Sequence, residues 1–326
     1  MGQSNIAERA NGLLSAGRAQ AAVDLLIEAA KRGNGDALYE LALWHVYGTP
    51  VPRSFAAARA LFEKAGAAGH RGGALTHAVF VALGAGGPAN WGAALASLEK
   101  TADGDPVAAH QRHLIGAMSL TADGNPAATA SLETISTSPQ IAVARALFTA
   151  EECAHIRALS APKMVPSVVV DPQTRREIPH PVRTSEGTVL GPIQQDLVIH
   201  ALDRRIAAAS GTRVEQGEPL TVLRYAPGQQ YRLHHDCLPG EANQRVMTAI
   251  MYLNDDYDGG ATQFPATDTE FRGQTGDMIL FANTLPDGQV DERSRHAGLP
   301  VTRGEKWICT RWIRARDFDP WGMRPA

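Results

Sequence analysis

A self-similarity with a period close to 36 residues runs through the first 140 residues of the chain. Leu26-Ile27-Glu28, Phe62-Glu63-Lys64 and Leu98-Glu99-Lys100 fall at equal intervals. Gly33, Gly69 and Gly104 close three successive units with a one-residue slip. After each glycine comes a stretch with apolar residues at helical spacing: Ala37 to Tyr47, Ala74 to Leu83 and Val107 to Met118. Gly48 and Gly84 stand where helix stops are expected. A single helix pair cannot bury its apolar face alone, so neighbouring pairs must stack. A repeat in the mid-thirties therefore constrains residues 1–140 to an α-solenoid. Such a solenoid offers a concave surface on which a protein or peptide docks; the alternative is a helical cap that only stabilises the next domain. His45, His70, His77, His110 and His113 lack ligand spacing beyond His110-x-x-His113, and read as core or surface residues.

The remaining 186 residues are a second domain, 141–326, so the chain reads as a multidomain α+β protein. The helical pattern breaks around Ser136-Thr-Ser-Pro-Gln140. Thr149 is a good helix N-cap, and Glu152 three residues on completes a capping box. A long helix is expected from about Ile193 to Ala208. From Glu218 onward short strands dominate: Leu220–Tyr225, Gln230–His235, Val246–Leu253, Thr262–Phe264, Asp277–Phe281, His296–Pro300 and Lys306–Ile313. Ser167 to Asp171 also reads as a strand, and the polar stretch from Asp171 to Pro181 as an exposed loop. Glycine turns between many short strands suggest a sandwich or jelly-roll barrel.

Bulk properties narrow the partners. A formal net charge of −3 gives no reason to expect nucleic acid or an anionic membrane. The N-terminus has no apolar core of signal-peptide length, and no membrane-spanning apolar run appears. Cys153, Cys237 and Cys309 lack metal-pair spacing and are too few for a disulfide framework. A soluble cytoplasmic protein is expected, with an oligomeric state the sequence does not define.

Within the second domain, Tyr231-Arg-Leu-His-His-Asp236 carries the chemistry. Alternate side chains of a strand share a face, so His234 and Asp236 project together while His235 points away. With His296 from another strand they make two histidines and one carboxylate, the facial triad of non-haem Fe(II) oxygenases. Lys306 follows His296 by ten residues.

Residues 146–314 resemble the prolyl 4-hydroxylase family of Fe(II)/2-oxoglutarate dioxygenases. The matching motifs are Arg183-Thr-Ser-x-Gly187, Arg224-Tyr-x-Pro-Gly-Gln-x-Tyr-x-x-His-x-Asp236, Gln244-Arg-x-x-Thr248, Tyr252-Leu-Asn254, Gly259-Gly-x-Thr262, Gly276-Asp277 with Phe281, and His296-Ala-Gly-x-Pro-Val-x-x-Gly-x-Lys306-Trp307 running to Trp312-Ile-Arg314. Residues 5–135 resemble, more loosely, tetratricopeptide-like repeats of Sel type.

The first resemblance implies a double-stranded β-helix with flanking helices. It implies Fe(II) on His234, Asp236 and His296, with 2-oxoglutarate and O2 as cosubstrates and ascorbate as an accessory reductant. Lys306 would receive the distal carboxylate of 2-oxoglutarate, because a buried charge needs a counter-charge, and Tyr225 and Thr262 would donate hydrogen bonds to it. Tyr231, Arg245 and Trp312 would flank a substrate proline. The implied reaction is peptidyl-prolyl 4-hydroxylation with release of succinate and CO2. Hydroxylation of a free amino acid or small metabolite is the alternative within enzymes, and a non-catalytic binding protein that uses its repeats is the alternative outside them. Asp236 itself points to hydroxylation, since related halogenating enzymes carry a small residue there. Ala261 stands where the family has glutamate, and the loop Cys237 to Gln244 is short; both bear on substrate reach. Arg303, Arg311 and Arg314 read as surface or fold charges, and His235 as a packing residue.

Overall fold

The structure, a computed structural model, describes residues 6–170, 177–179 and 182–321. The chain divides into two compact units, Met1–Asn125 with Asp196–His200, and Pro126–Gln195 with Ala201–Ala326.

The first unit is built from α1 (Ile6–Ser15), α2 (Ala19–Lys31), α3 (Gly35–Tyr47), α4 (Phe55–Ala67), α5 (Arg71–Leu83), α6 (Trp91–Ala102) and α7 (Pro106–Ala117). The period shows in the helix starts, because α2, α4 and α6 begin at 19, 55 and 91. It shows equally in the caps. Asn34, His70 and Asp105 each precede the second helix of a pair and accept backbone N–H groups of its first turn, while Ser54 and Asn90 do the same for α4 and α6. His70 thus has a structural task, accepting the Gly73 N–H on Nδ1 at 2.9 Å. Gly48 and Gly84 end α3 and α5 in the left-handed conformation, as their positions predict. Leu26, Phe62 and Leu98, the equivalent positions of three repeats, are all buried. Gly73 sets the spacing of α4 and α5: a Cβ there would lie 2.6 Å from Ala65 Cβ.

The second unit begins earlier than the break in the helical pattern suggests. Its elements are β1 (Glu133–Thr137), β2 (Gln140–Ala144), α8 (Ala150–Ser160), β3 (Val165–Pro166), β4 (Val168–Val170), β5 (Glu177–Pro179), β6 (Glu186–Leu190), α9 (Leu197–Ser210), β7 (Leu220–Tyr225), β8 (Tyr231–His234), β9 (Arg245–Tyr252), β10 (Asp258–Gly259), β11 (Thr262–Phe264), β12 (Thr269–Phe271), β13 (Met278–Ala282), β14 (His296–Gly298), β15 (Val301–Arg303) and β16 (Lys306–Arg314). Thus β1 lies ahead of residue 140, where the sequence places the boundary. The expected capping box is present: Thr149 accepts the Glu152 N–H and Glu152 accepts the Thr149 N–H. The expected loop from Asp171 to Pro181 contains β5, which pairs with β4; the rest of that stretch lies outside the described residues.

Two sheets make the jelly roll. The larger has the order β1-β2-β13-β9-β16-β7-β6-β3 and the smaller β12-β11-β14-β8. Ile250, Tyr252, Ile279, Phe281 and Ile308 from the large sheet meet Phe264 and Phe271 from the small one in one apolar cluster. Phe264 and Phe281 pack edge to face at 5.0 Å, a direct contact across the two layers. The Gly276-Asp277 turn fastens the start of this unit. Asp277 accepts hydrogen bonds from Arg145 Nη1, the Ala146 N–H and the Gln274 N–H. Gly276 adopts φ +88°, and a Cβ there would fall 2.0 Å from Phe148 O. Among the described residues no helix is long and apolar enough to cross a membrane.

Candidate active site

Register brings the candidate residues together. In the small sheet His234 pairs with His296, and Thr262 pairs with Gly298. In the large sheet Lys306 pairs with Tyr225, and Trp312 with Thr248. The two faces enclose a cavity whose lining includes Tyr225, Tyr231, Thr262, Lys306 and Trp312 beside the three ligand candidates.

His234, Asp236 and His296 place one ligand atom each within 4.8 Å of the others. Asp236 lies just past the end of β8, in a bend rather than in the strand. Both histidines are prepared in the same way. His234 Nδ1 donates to Arg232 O at 2.7 Å and His296 Nδ1 donates to Ser294 O at 3.1 Å. A carbonyl oxygen can only accept, so each Nδ1 carries a proton, which leaves Nε2 as the atom of each ring that can face a metal. Those Nε2 atoms stand 3.6 Å and 3.7 Å from the Asp236 oxygens, too far for hydrogen bonds. Burial lowers the His296 pKa to about 4, which keeps its imidazole neutral as a ligand must be. Burial also opposes charge on Asp236, but His296, His234 and Thr248 outweigh it and hold the carboxyl well below its usual range. Two neutral imidazoles and one carboxylate fit a divalent metal of the iron class.

Lys306 is 3 % exposed and no carboxylate pairs with it among the described residues. Its Nζ donates to Gly260 O at 2.6 Å and lies 5.2 Å and 5.8 Å from the Tyr252 and Tyr225 ring centres. Burial pulls its pKa down to about 7. A buried ammonium without a counter-ion is the mark of a site for an anionic ligand. Thr262 sits beside it in the cavity, with its hydroxyl 2.7 Å from the Tyr252 hydroxyl. Tyr225 is buried, and burial raises its phenol pKa. These groups fit a dicarboxylate reaching inward from the metal.

Of the three residues expected around a substrate, Tyr231 lies flat on His234, with ring centres 3.5 Å apart and planes 15° apart. Trp312 lines the cavity. Arg245 is different. Its Nε and Nη2 donate to Glu218 at 2.6 Å and 2.7 Å, and its guanidinium lies 3.9 Å from the Trp312 ring centre. Glu218 also pairs with Arg314. Arg245 is therefore held by a carboxylate and shapes the wall through Trp312, a partnership the sequence does not announce. Arg311 and Arg314 are buried fold charges paired to Asp203 and Glu218, whereas Arg303 is exposed and paired to Asp258. His235 points away from the triad and meets Glu292 at 3.1 Å.

A jelly roll that joins such a triad to a buried lysine defines an oxygenase that uses iron and a 2-oxo acid. The family model described as the 2OG-Fe(II) oxygenase superfamily matches residues 220–314. Prolyl 4-hydroxylase 1 of Arabidopsis thaliana is 38 % identical over 203 residues, which cover 56 % of this chain and 72 % of that protein. Prolyl 4-hydroxylase 5 of the same plant is 37 % identical over 211 residues, covering 57 % and 72 %. A viral collagen prolyl hydroxylase from Paramecium bursaria Chlorella virus-1, solved with 2OG, aligns over 54 % of this chain and 96 % of its own at 26 % identity and a TM-score of 0.45. The chain belongs to the prolyl 4-hydroxylase family of 2OG-Fe(II) oxygenases.

Proposed function

We propose that this oxygenase hydroxylates a prolyl residue in a protein or peptide. The observation that carries the reading is the wall beside the triad, where Tyr231 lies against His234 and Trp312 is held under Arg245. The Tyr231 and Trp312 rings, bordered by the Arg183 and Arg245 guanidiniums, suit a proline ring within a peptide. When bound, iron with 2-oxoglutarate and O2 supplies the oxidant that converts C–H to C–OH, with succinate and CO2 as coproducts. The protein's own part is orientation. His234, Asp236 and His296 hold the metal, Lys306 and Thr262 take the distal carboxylate, Tyr225 borders it, and the two aromatic rings exclude water from the reacting carbon. The intact triad and the buried Lys306 count against a purely non-catalytic role.

The reading includes a docking role for the repeats. A groove of about 500 Å³ in the first unit is lined by Arg59, Glu63, His77 and Asn90 among small apolar residues. Burial lowers the His77 pKa and favours its neutral form, while Arg59 Nη1 donates to Pro88 O at 3.1 Å.

The test uses the full chain with Fe(II), O2 and 2-oxoglutarate. A proline-containing peptide is expected to gain the mass of one oxygen on proline, in step with succinate release. Oxygen gained only by free amino acids would reject the peptidyl reading. Glu63→Arg is expected to raise KM for a protein substrate about fivefold, the scale of one interface contact worth ~1 kcal/mol, without changing KM for a short prolyl peptide. An equal KM for the protein would leave the groove without a docking role.

A further inference from the structure

We propose that Thr248 and Asn283 form a positioning relay that fixes how the Asp236 carboxylate is presented to the metal. The inference rests on the triad reading and concerns residues that touch neither metal nor substrate. Thr248 is 0 % exposed and Asn283 1 %. Asn283 Nδ2 donates to Thr248 Oγ1 at 2.8 Å, and Thr248 Oγ1 donates to Asp236 Oδ2 at 2.7 Å.

The direction of this chain of bonds is set by elimination. An ionised carboxylate only accepts, so the single hydroxyl proton of Thr248 must point at Asp236. The threonine oxygen can then only accept, and the Asn283 amide is the donor beside it. The opposite amide orientation would set two acceptors against one proton. The arrangement has a cost, because Asn283 Oδ1 is left buried without a partner among the described residues. A buried unsatisfied oxygen calls for a reason, and the relay supplies one.

Both members are anchored. Thr248 lies on β9, between its pairing partners Phe281 on β13 and Trp312 on β16. The Asn283 backbone N–H donates to Val246 O at 2.8 Å, and its carbonyl accepts the Asp291 N–H at 3.0 Å. The hydroxyl therefore occupies a fixed point, and it ties Oδ2 while Oδ1 takes no hydrogen bond among the described residues. A carboxylate fixed in this way offers one oxygen to the metal. Freed of the bond, it can rotate and present both oxygens, closing a coordination position that a cosubstrate needs.

The probe is Co(II) alone, titrated into metal-free full-length protein and followed by its visible absorption. Thr248→Val, which keeps the shape and removes the hydroxyl, is expected to weaken Co(II) binding by about tenfold or more and to change the absorption band. Thr248→Ser, which restores the hydroxyl, is expected to return both towards wild type. Thr248→Val with wild-type affinity and spectrum would overturn the relay, and so would failure of Thr248→Ser to recover either. Circular dichroism of the metal-free variants establishes folding. Should Thr248→Val not fold, Asn283→Leu keeps the hydroxyl but frees its direction, and is expected to lose about threefold or more in the same titration; no loss would overturn the proposal. Wild-type protein that binds no Co(II) would instead reject the triad reading itself.

Discussion

Asp236→Ala is expected to abolish succinate release, lowering it on the order of 10³-fold or more, a loss of ~4 kcal/mol in transition-state stabilisation. The size reflects three consequences of one substitution. The charged ligand of the set disappears, leaving only the Nε2 atoms of His234 and His296, and two neutral imidazoles hold a divalent ion far more weakly than three ligands that include a carboxylate. Thr248 loses the acceptor for its hydroxyl, so a buried donor is left unpaired. The negative charge that would offset a divalent ion in this buried site is also gone. Iron titration and succinate release measured on the same preparation separate these effects. Turnover equal to wild type would reject the assignment, and so would normal turnover with lost iron binding.

The ligand set is the part of the site most legible in the sequence, because coordination restricts residue type and a two-residue offset is enough to bring His234 and Asp236 together. The repeats are legible for a similar reason. A period of 36 forces equivalent positions into equivalent environments, so Leu26, Phe62 and Leu98 are buried alike and Asn34, His70 and Asp105 all cap helices. Strands rich in β-branched and aromatic residues, such as Leu220–Tyr225 and Thr262–Phe264, are found where their composition places them. By contrast, β1 is mostly exposed and has no apolar alternation, so only its pairing with β2 makes it a strand. The three-residue strands β12 and β15 likewise owe their existence to partners. The supporting polar groups are hidden for a further reason. Asn283 reaches Thr248 across 35 residues and Arg245 reaches Glu218 across 27, and neither distance has a periodic signature. Arg245 shows the consequence: its type suggests a free substrate grip, while its geometry shows a guanidinium committed to Glu218.

Lys306→Met is expected to raise the 2-oxoglutarate requirement by about 10²-fold or more, as removal of one partner from a buried charge pair does, while Co(II) and Fe(II) affinities stay near wild type. The pH dependence makes this more specific. In the protein without cosubstrate, burial holds the Lys306 pKa at about 7, below its ordinary value of 10.5. Between those limits the unfolded chain binds a proton that the folded chain does not, so this group makes the free protein more stable as pH rises through the window. A dicarboxylate beside Nζ reverses the balance by supplying the missing counter-charge. Binding above pH 7 must then draw in a proton, and 2-oxoglutarate affinity should fall by up to about tenfold per pH unit until the pKa of the bound state is reached. Calorimetric titration in two buffers of different ionisation enthalpy reads the proton directly: uptake approaching one per 2-oxoglutarate is expected at pH 8 to 9 in wild type, and none in Lys306→Met. A requirement that rises only for iron, or proton uptake that persists in the variant, would move the carboxylate contact away from Lys306. A flat wild-type profile would mean that the ammonium survives burial unaided and that its Gly260 hydrogen bond offsets the loss of water.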